Sequence, residues 1–77
     1  MTHAQLHLTF PQDLERERTV SHLRTSFSLH LNIRRANVEE QTSWIIVDLN
    51  GEDDELERAV AWLIDEGVTV DRIPLDG

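Results

Sequence analysis

The chain has 77 residues, enough for one domain with a single hydrophobic core, so multi-domain enzymes are excluded. Seven arginines stand against fifteen acidic residues, and the resulting net charge of −8 makes nucleic acid and anionic membranes poor partners. Because the chain has no cysteine, it can form no disulfide, no thiolate zinc site and no iron–sulfur cluster.

The first two predicted elements are a strand and a helix. Apolar and polar residues alternate from Ala4 to Phe10, the period of a half-buried strand, and Pro11 ends the pattern. Val20 and Leu23 then begin an apolar series at helical spacing, which predicts a helix from about Arg16 to Phe27.

Two further strands follow and form a hairpin. Alternation runs from Leu29 to Val38 and stops at the polar segment Glu39-Glu40-Gln41, which predicts a strand and a turn. The stretch Trp44 to Leu49 is rich in β-branched and aromatic residues, and the pair Asn50-Gly51 suits the turn that ends it.

The last elements are a helix and a short strand. Asp53 or Asp54 can cap the helix, with Glu57 in the capping-box position relative to Asp54. The helix has an apolar stripe made of Leu56, Ala59, Val60, Leu63 and Ile64. Gly67 is placed for a left-handed C-terminal cap, and Val68 to Ile73 form a strand that Pro74 ends.

The element order βαββαβ predicts an α+β, ferredoxin-like sandwich, with both helices on one face of a four-stranded antiparallel sheet. Alternation assigns the following residues to the helix-covered face: Leu6, Leu8, Phe10, Leu31, Ile33, Ile45, Val47, Leu49, Val68 and Val70. It assigns these to the uncovered face: His7, Thr9, His30, Asn32, Arg34, Ala36, Val38, Trp44, Ile46, Asp48, Thr69 and Asp71.

The uncovered face carries an apolar patch, which we interpret as a homodimer interface. Trp44 and Ile46 are its large members, and Ala36 and Val38 extend it along the neighbouring strand. The alternative is that Trp44 lies over the sheet beside Ala36 and is tolerated there, since single exposed apolar residues are common.

A polar cluster borders this patch. A turn centred on Glu40 places Asn32 opposite Asp48, Arg34 opposite Ile46 and Ala36 opposite Trp44. Arg34 can hold a carboxylate, Asp48 an ammonium group, and Asn32 offers both a donor and an acceptor, which together match an α-amino acid. The alternative is a diagonal ion pair between Arg34 and Asp48 without a ligand.

Other chemistries have little support in the sequence. His3, His7 and His30 could approach one another on the sheet, but we expect no metal site. No serine, histidine and carboxylate can be argued into one pocket, so we expect no catalytic residues and no enzymatic activity. With glycine only at Gly51, Gly67 and Gly77, no phosphate-binding loop can be formed, and we expect no cofactor. Trp62, off the apolar stripe, is expected to pack within the domain.

The location of the protein is predicted to be cytoplasmic. No apolar run approaches the ~20 residues that a membrane span requires, so no membrane insertion is expected. The N-terminus Met1-Thr2-His3 lacks the basic and apolar regions of a signal peptide.

Nearly the whole chain resembles a NIL domain, the ACT-like module of methionine-importer ATP-binding subunits. The resemblance is carried by these segments: Leu8-Thr9-Phe10, the helix ending in Phe27, Leu29-His30-Leu31-Asn32-Ile33, the strand ending at Asn50-Gly51, Ala59-Val60-Ala61-Trp62-Leu63 and Gly67-Val68-Thr69-Val70. Asn32 and Ile33 match the first two residues of the family's Asn-Ile-Leu motif, and Arg34 replaces the leucine.

The resemblance implies a ferredoxin-like fold and a pair of domains that binds methionine at the interface and restrains transport. It also implies that Asn32 lies by the ligand. We therefore expect a non-enzymatic regulatory module that binds an amino acid through Asn32, Ile33, Arg34 and Asp48, with a transporter or a sulfur-metabolism protein as partner. The alternative is a protein interaction module that docks through its open sheet face or edge strand without a small ligand.

Overall fold

The computed structural model describes residues 1–37 and 43–74. The chain forms six elements in the predicted order: β1 (Thr2–Phe10), α1 (Arg16–Ser26), β2 (His30–Ala36), β3 (Ser43–Gly51), α2 (Asp53–Asp65) and β4 (Thr69–Ile73). The strands build one antiparallel sheet in the order β2-β3-β1-β4, which confirms the ferredoxin-like α+β fold. No helix in the described ranges is long and apolar enough to cross a membrane.

The two central strands, β1 and β3, contribute half of the buried apolar residues of the core. Their alternate residues face the helices and are buried against apolar side chains from both helices. The buried apolar residues are Leu6, Leu8, Phe10, Val20, Leu23, Ile45, Val47, Leu49, Leu56, Ala59, Leu63 and Val68. Every predicted helix-facing residue of β1 and β3 is among them, because two-residue alternation is unbroken in both strands.

The second helix begins differently from the capping prediction. Its N-cap is Glu52, which makes no side-chain capping bond, so the predicted cap at Asp53 or Asp54 is wrong. The reason is that β3 runs on to Gly51 and the helix starts immediately afterwards. A bond from the Thr2 hydroxyl to the Asp53 carboxylate ties this helix end to the first residue of β1.

The predicted left-handed cap at Gly67 is confirmed. Gly67 has φ +100°, and its N–H donates to the carbonyl of Ile64 at 3.0 Å. The N–H of Val68 donates to the carbonyl of Leu63, also at 3.0 Å, and both of these side chains are buried. This pair of bonds is the Schellman motif, which ends α2 and directs the chain into β4.

The edge strand β2 departs from the predicted register at a β-bulge. Ile33 pairs with Val47, but the next pairs are Arg35 with Ile46 and Ala36 with Ile45. Arg34 is therefore the extra residue, and the predictions that it lies opposite Ile46 and that Ala36 lies opposite Trp44 are wrong. The extra residue reverses the alternation, so Ala36 faces the helix side of the sheet.

The helices are joined by an aromatic cluster of His22, Phe27 and Trp62. The rings of His22 on α1 and Trp62 on α2 stack with centroids 4.6 Å apart. Phe27, just after α1, packs on the same indole at 5.9 Å. Trp62 therefore packs between the two helices, as predicted.

Candidate functional site

The face of the sheet opposite the helices carries a cluster of polar and aromatic side chains. By register, β1 and β3 contribute alternate residues to this open face. From β1 these are His3, Gln5, His7 and Thr9, and from β3 they are Trp44, Ile46, Asp48 and Asn50. The edge strand β2 adds His30, Asn32 and the bulge residues.

Asp48 lies at the centre of this cluster and is only 6% exposed, although no helix covers it. Its Oδ1 accepts a hydrogen bond from Gln5 Nε2 at 3.1 Å and lies 3.4 Å from His3 Nε2. A carboxylate is costly to bury unless its oxygens are paired, and here the neighbouring strand supplies the partners. The carboxylate is thus held in a fixed position on the face.

Arg34 and Asn32 approach Asp48 from the other side. Asn32 is directly opposite Asp48 in the β2–β3 ladder, as predicted. Arg34 Nη1 lies 3.4 Å from Asp48 Oδ2, and the arginine side chain is 57% exposed. This is the diagonal ion pair that the sequence offered as an alternative. Arg34 lies on the same side as Asn32 and Asp48, as two-residue alternation predicts, and the bulge changes the side only of the residues that follow it.

An aromatic pair borders the polar cluster. The rings of His7 and Trp44 are stacked, with centroids 5.1 Å apart and planes inclined by 24°. Trp44 and its neighbour on this face, Ile46, are both half-buried. The Trp44 backbone N–H donates to Asn37 Oδ1 at 2.8 Å, which fixes the start of β3. The apolar patch is therefore smaller than predicted, because His7 lies against the indole.

The structure does not bring all the predicted site residues together. Asn32, Arg34, Asp48, Trp44 and Ile46 share the open face. Ile33 lies on the opposite side, 41% exposed, and Ala36 is also on that side. Val38, assigned to the interface, lies outside the described residues.

His3 and Gln5, the partners of Asp48 from β1, were not predicted from the sequence. Only the register of β1 against β3 would have indicated these contacts, because it places Gln5 directly opposite Asp48 and His3 opposite Asn50. This pairing joins strands that are not consecutive in the chain, so no turn in the sequence fixes it.

The described residues contain no group of three histidine or acidic side chains that could hold a metal ion. His3 is close to Asp48, and His7 is engaged with Trp44. The chemistry available on the open face is therefore that of hydrogen bonding, ion pairing and stacking.

Comparisons with known proteins agree with this architecture. The structure is similar to a crystal structure of the C-terminal domain of an ABC transporter ATP-binding protein from Enterococcus faecalis, with a TM-score of 0.78 and 17% identity. The match covers 95% of this chain and 86% of that one. The de novo designed protein Foldit4 is also similar, with a TM-score of 0.57, 12% identity and coverage of 96% and 97%.

At the level of sequence, the family comparison is more specific than these structural likenesses. No curated protein matches the chain significantly. The sequence model of the NIL domain matches residues 4–72, which includes every helix and almost every strand residue. The chain belongs to the NIL domain family.

Proposed function

We propose that this protein is a non-enzymatic regulatory module that works in the cytoplasm as a homodimer, without a cofactor, and binds an amino acid between its subunits. Methionine is the leading ligand because of the family to which the chain belongs. An ABC transporter ATP-binding subunit is the leading partner, since the similar Enterococcus faecalis domain comes from such a protein.

The observation that carries the proposal is the cluster of Asn32, Arg34 and Asp48. These three side chains offer a cation, an anion and an amide within one small area. An α-amino acid needs a cation for its carboxylate and an anion for its ammonium group. Arg34 is largely exposed, so its guanidinium can turn from Asp48 to a ligand carboxylate.

The adjoining apolar residues would hold the ligand side chain and the second subunit. Trp44 and Ile46 are half-buried on a face that no helix covers. A second copy placed on this face would remove the remaining apolar area from water, at roughly 25 cal/mol per Å². Asp48 is already held by Gln5, so a ligand ammonium would meet a carboxylate of fixed position.

The test is a thermal-shift screen of the twenty amino acids, with the molecular mass followed by light scattering. Methionine at a hundred times its dissociation constant is expected to stabilise the fold by ~2.7 kcal/mol, a shift of roughly 10–20 °C for a domain of this size. A dimer that responds selectively to methionine supports the proposal. The absence of any response contradicts the ligand-binding part of it.

Replacing Asn32 by Ala tests the assignment of the site. We expect the Asn32→Ala protein to keep its melting temperature without ligand and to lose the methionine-induced shift, because Asn32 is exposed and would contact only the ligand. Asn50→Ala is the matched control, since Asn50 lies on the same face opposite His3 and His30. Equal shifts in the two variants would remove Asn32 from the site.

A second candidate function is a docking module for another protein without a small ligand. The observation in its favour is that Asp48 and Arg34 already satisfy each other. The strand β2 is also an edge of the sheet, with one neighbour and a nearly continuous row of exposed residues, so a partner strand could pair with it. A dimer indifferent to all twenty amino acids would favour this function.

A further inference from the structure

A groove lies on the other side of β2, between this strand and α1. Its volume is about 390 Å³, within the range of small-molecule sites. The apolar side chains that line it are Val20 on α1, Ile33 and Ala36 on β2, and Ile45 on β3. The groove is separate from the open face, since its strand residues point to the helix side.

The groove exists because α1 does not cover the edge strand. Val20 and Leu23 of α1 are buried in the core with residues of the central strands. The strand β2 is left with Ile33 exposed by 41%, one of the most exposed large apolar side chains among the described residues. The bulge adds to the opening, because it turns the small Ala36 toward the helix side.

The charge beside the groove is opposite to that of the whole protein. Residues 16–26, which form α1, contain three arginines and one acidic residue, so they carry +2 within a chain of net charge −8, whereas Arg34 and Arg35 lie on the open face. Two of these arginines, Arg16 and Arg24, line the groove at the two ends of α1. The single acidic residue, Glu17, lies beside Arg16 at the N-terminal end.

The two arginines differ in what they already bind. Arg16 Nη1 donates to the carbonyl of Asn37 at 2.7 Å and lies within 3.4 Å of that of Trp44, so it closes one end of the groove against the strand ends. Arg24 makes no hydrogen bond or ion pair within residues 1–37 and 43–74. Among the described residues it is therefore an unpaired cation at the edge of an apolar surface, with Ser21 and Thr25 beside it.

We propose that this groove is a second binding site, for an extended apolar carboxylate of the alkanoate class. The hydrocarbon chain would lie on Val20, Ile33, Ala36 and Ile45, and the carboxylate would bind Arg24. The eight helical steps from Arg16 to Arg24 span ~12 Å of helix, which suits a chain of medium length. A neutral or cationic amphiphile would lack the pairing with Arg24.

A second copy of this chain is a poorer occupant than an apolar anion. A two-fold contact places the same patch of both subunits together. Here that would bring the α1 stretches of both copies, each with three arginines and one glutamate, into contact, which electrostatic repulsion opposes. An anionic ligand is instead attracted to the stretch, although the protein as a whole is negative.

The test uses octanoate as the probe, with 1-octanol and octylamine as the neutral and cationic controls. We expect octanoate to bind the full chain with an affinity about tenfold higher than that of either control. Backbone NMR chemical shifts should change in α1 and at Ile33 and Ala36. Changes confined to the open face, equal binding of the three probes, or an increase in mass with octanoate would overturn the proposal.

Two pairs of variants distinguish octanoate binding in the groove from nonspecific binding elsewhere on the surface. Arg24→Gln should weaken octanoate binding about tenfold, while Arg18→Gln, an exposed arginine of α1 outside the groove, should leave it unchanged. Ile33→Ser should weaken binding severalfold, and Ile64→Ser, at an exposed isoleucine of α2, should not. Equal effects within either pair would refute the assignment. Methionine binding by the open face is measured separately, so either result stands without the other.

Discussion

At the scale of single residues, Asp48 is the most informative side chain in the molecule. It is buried on a face that has no helices, and three residues from two neighbouring strands surround it. Such a carboxylate contributes to stability only while its partners remain in place. Asp48 therefore has a structural part, in addition to the ligand-binding part that we propose.

Replacing Asp48 by Ala should lower the free energy of unfolding by about 1–3 kcal/mol, because Gln5 and Arg34 lose a buried partner. Asp71→Ala is the matched control, since Asp71 is exposed and lies on β4 of the same sheet opposite His7. We expect the control to change stability by less than about 0.5 kcal/mol. Urea denaturation measures both. A similar result for the two variants would show that the contacts of Asp48 contribute nothing to folding.

At the scale of elements, Gly67 shows how one residue ends a helix. Its φ of +100° is strained for any residue with a Cβ, although the space around it is open, the nearest atom to an added Cβ being 3.8 Å away. The energetic cost of a substitution here is therefore one of backbone conformation and not of packing.

Gly67→Ala should destabilise the fold by about 1–2 kcal/mol, which lowers the melting temperature by roughly 4–16 °C. Glu66→Ala is the control, because Glu66 is exposed and has ordinary helical angles, φ −78° and ψ −7°. Differential scanning calorimetry compares the two. A melting temperature of Gly67→Ala equal to that of Glu66→Ala would contradict the role of the left-handed cap.

The elements also show what a sequence pattern can and cannot predict. The helix-facing residues of β1 and β3 were predicted correctly, because their alternation is continuous and burial enforces it. The bulge at Arg34 was missed, although the sequence carries a signal of it: apolar residues occupy odd positions up to Ile33 and even positions from Ala36, with two consecutive arginines between. An edge strand has only one neighbour, so an extra residue in β2 disturbs the hydrogen bonds to β3 alone. The long side chains of Arg34 and Arg35 can lie on either face of the sheet.

The candidate site was predicted in part for the same reason. The pairing of Asn32 with Asp48 lies beyond the bulge from the turn, and it was correct because the extra residue offsets the one-residue shift of the pairs nearer the turn. The contacts of His3 and Gln5 depend on β1 meeting β3, which are separated by a helix and a strand. Ile33 matches the family motif, but strand geometry places it on the other side from Asn32.

At the scale of the whole molecule, the open face is the surface on which we expect two copies to meet. A homodimer there would give the small chain additional buried apolar area, which a domain of 77 residues otherwise lacks. The large apolar side chains on this face are Trp44 and Ile46, both half-buried in the single chain.

Trp44→Asp is expected to convert the dimer to a monomer, because it places a charge in the apolar part of the interface. Ile64→Asp is the control, since Ile64 is 58% exposed on α2, on the opposite side of the sheet. Light scattering gives the mass, and circular dichroism checks that both variants are folded. A folded Trp44→Asp protein of unchanged mass would mean that the interface lies elsewhere.

The position of β2 has a consequence for how the two proposed sites affect each other. This single strand supplies Asn32 and Arg34 to one face and Ile33 and Ala36 to the other, and only β3 holds it in the sheet. A ligand that displaces the strand from either side changes the shape presented to the other ligand. Such allosteric coupling is reciprocal by thermodynamic linkage, so the factor by which octanoate changed the affinity for methionine would equal the factor by which methionine changed the affinity for octanoate.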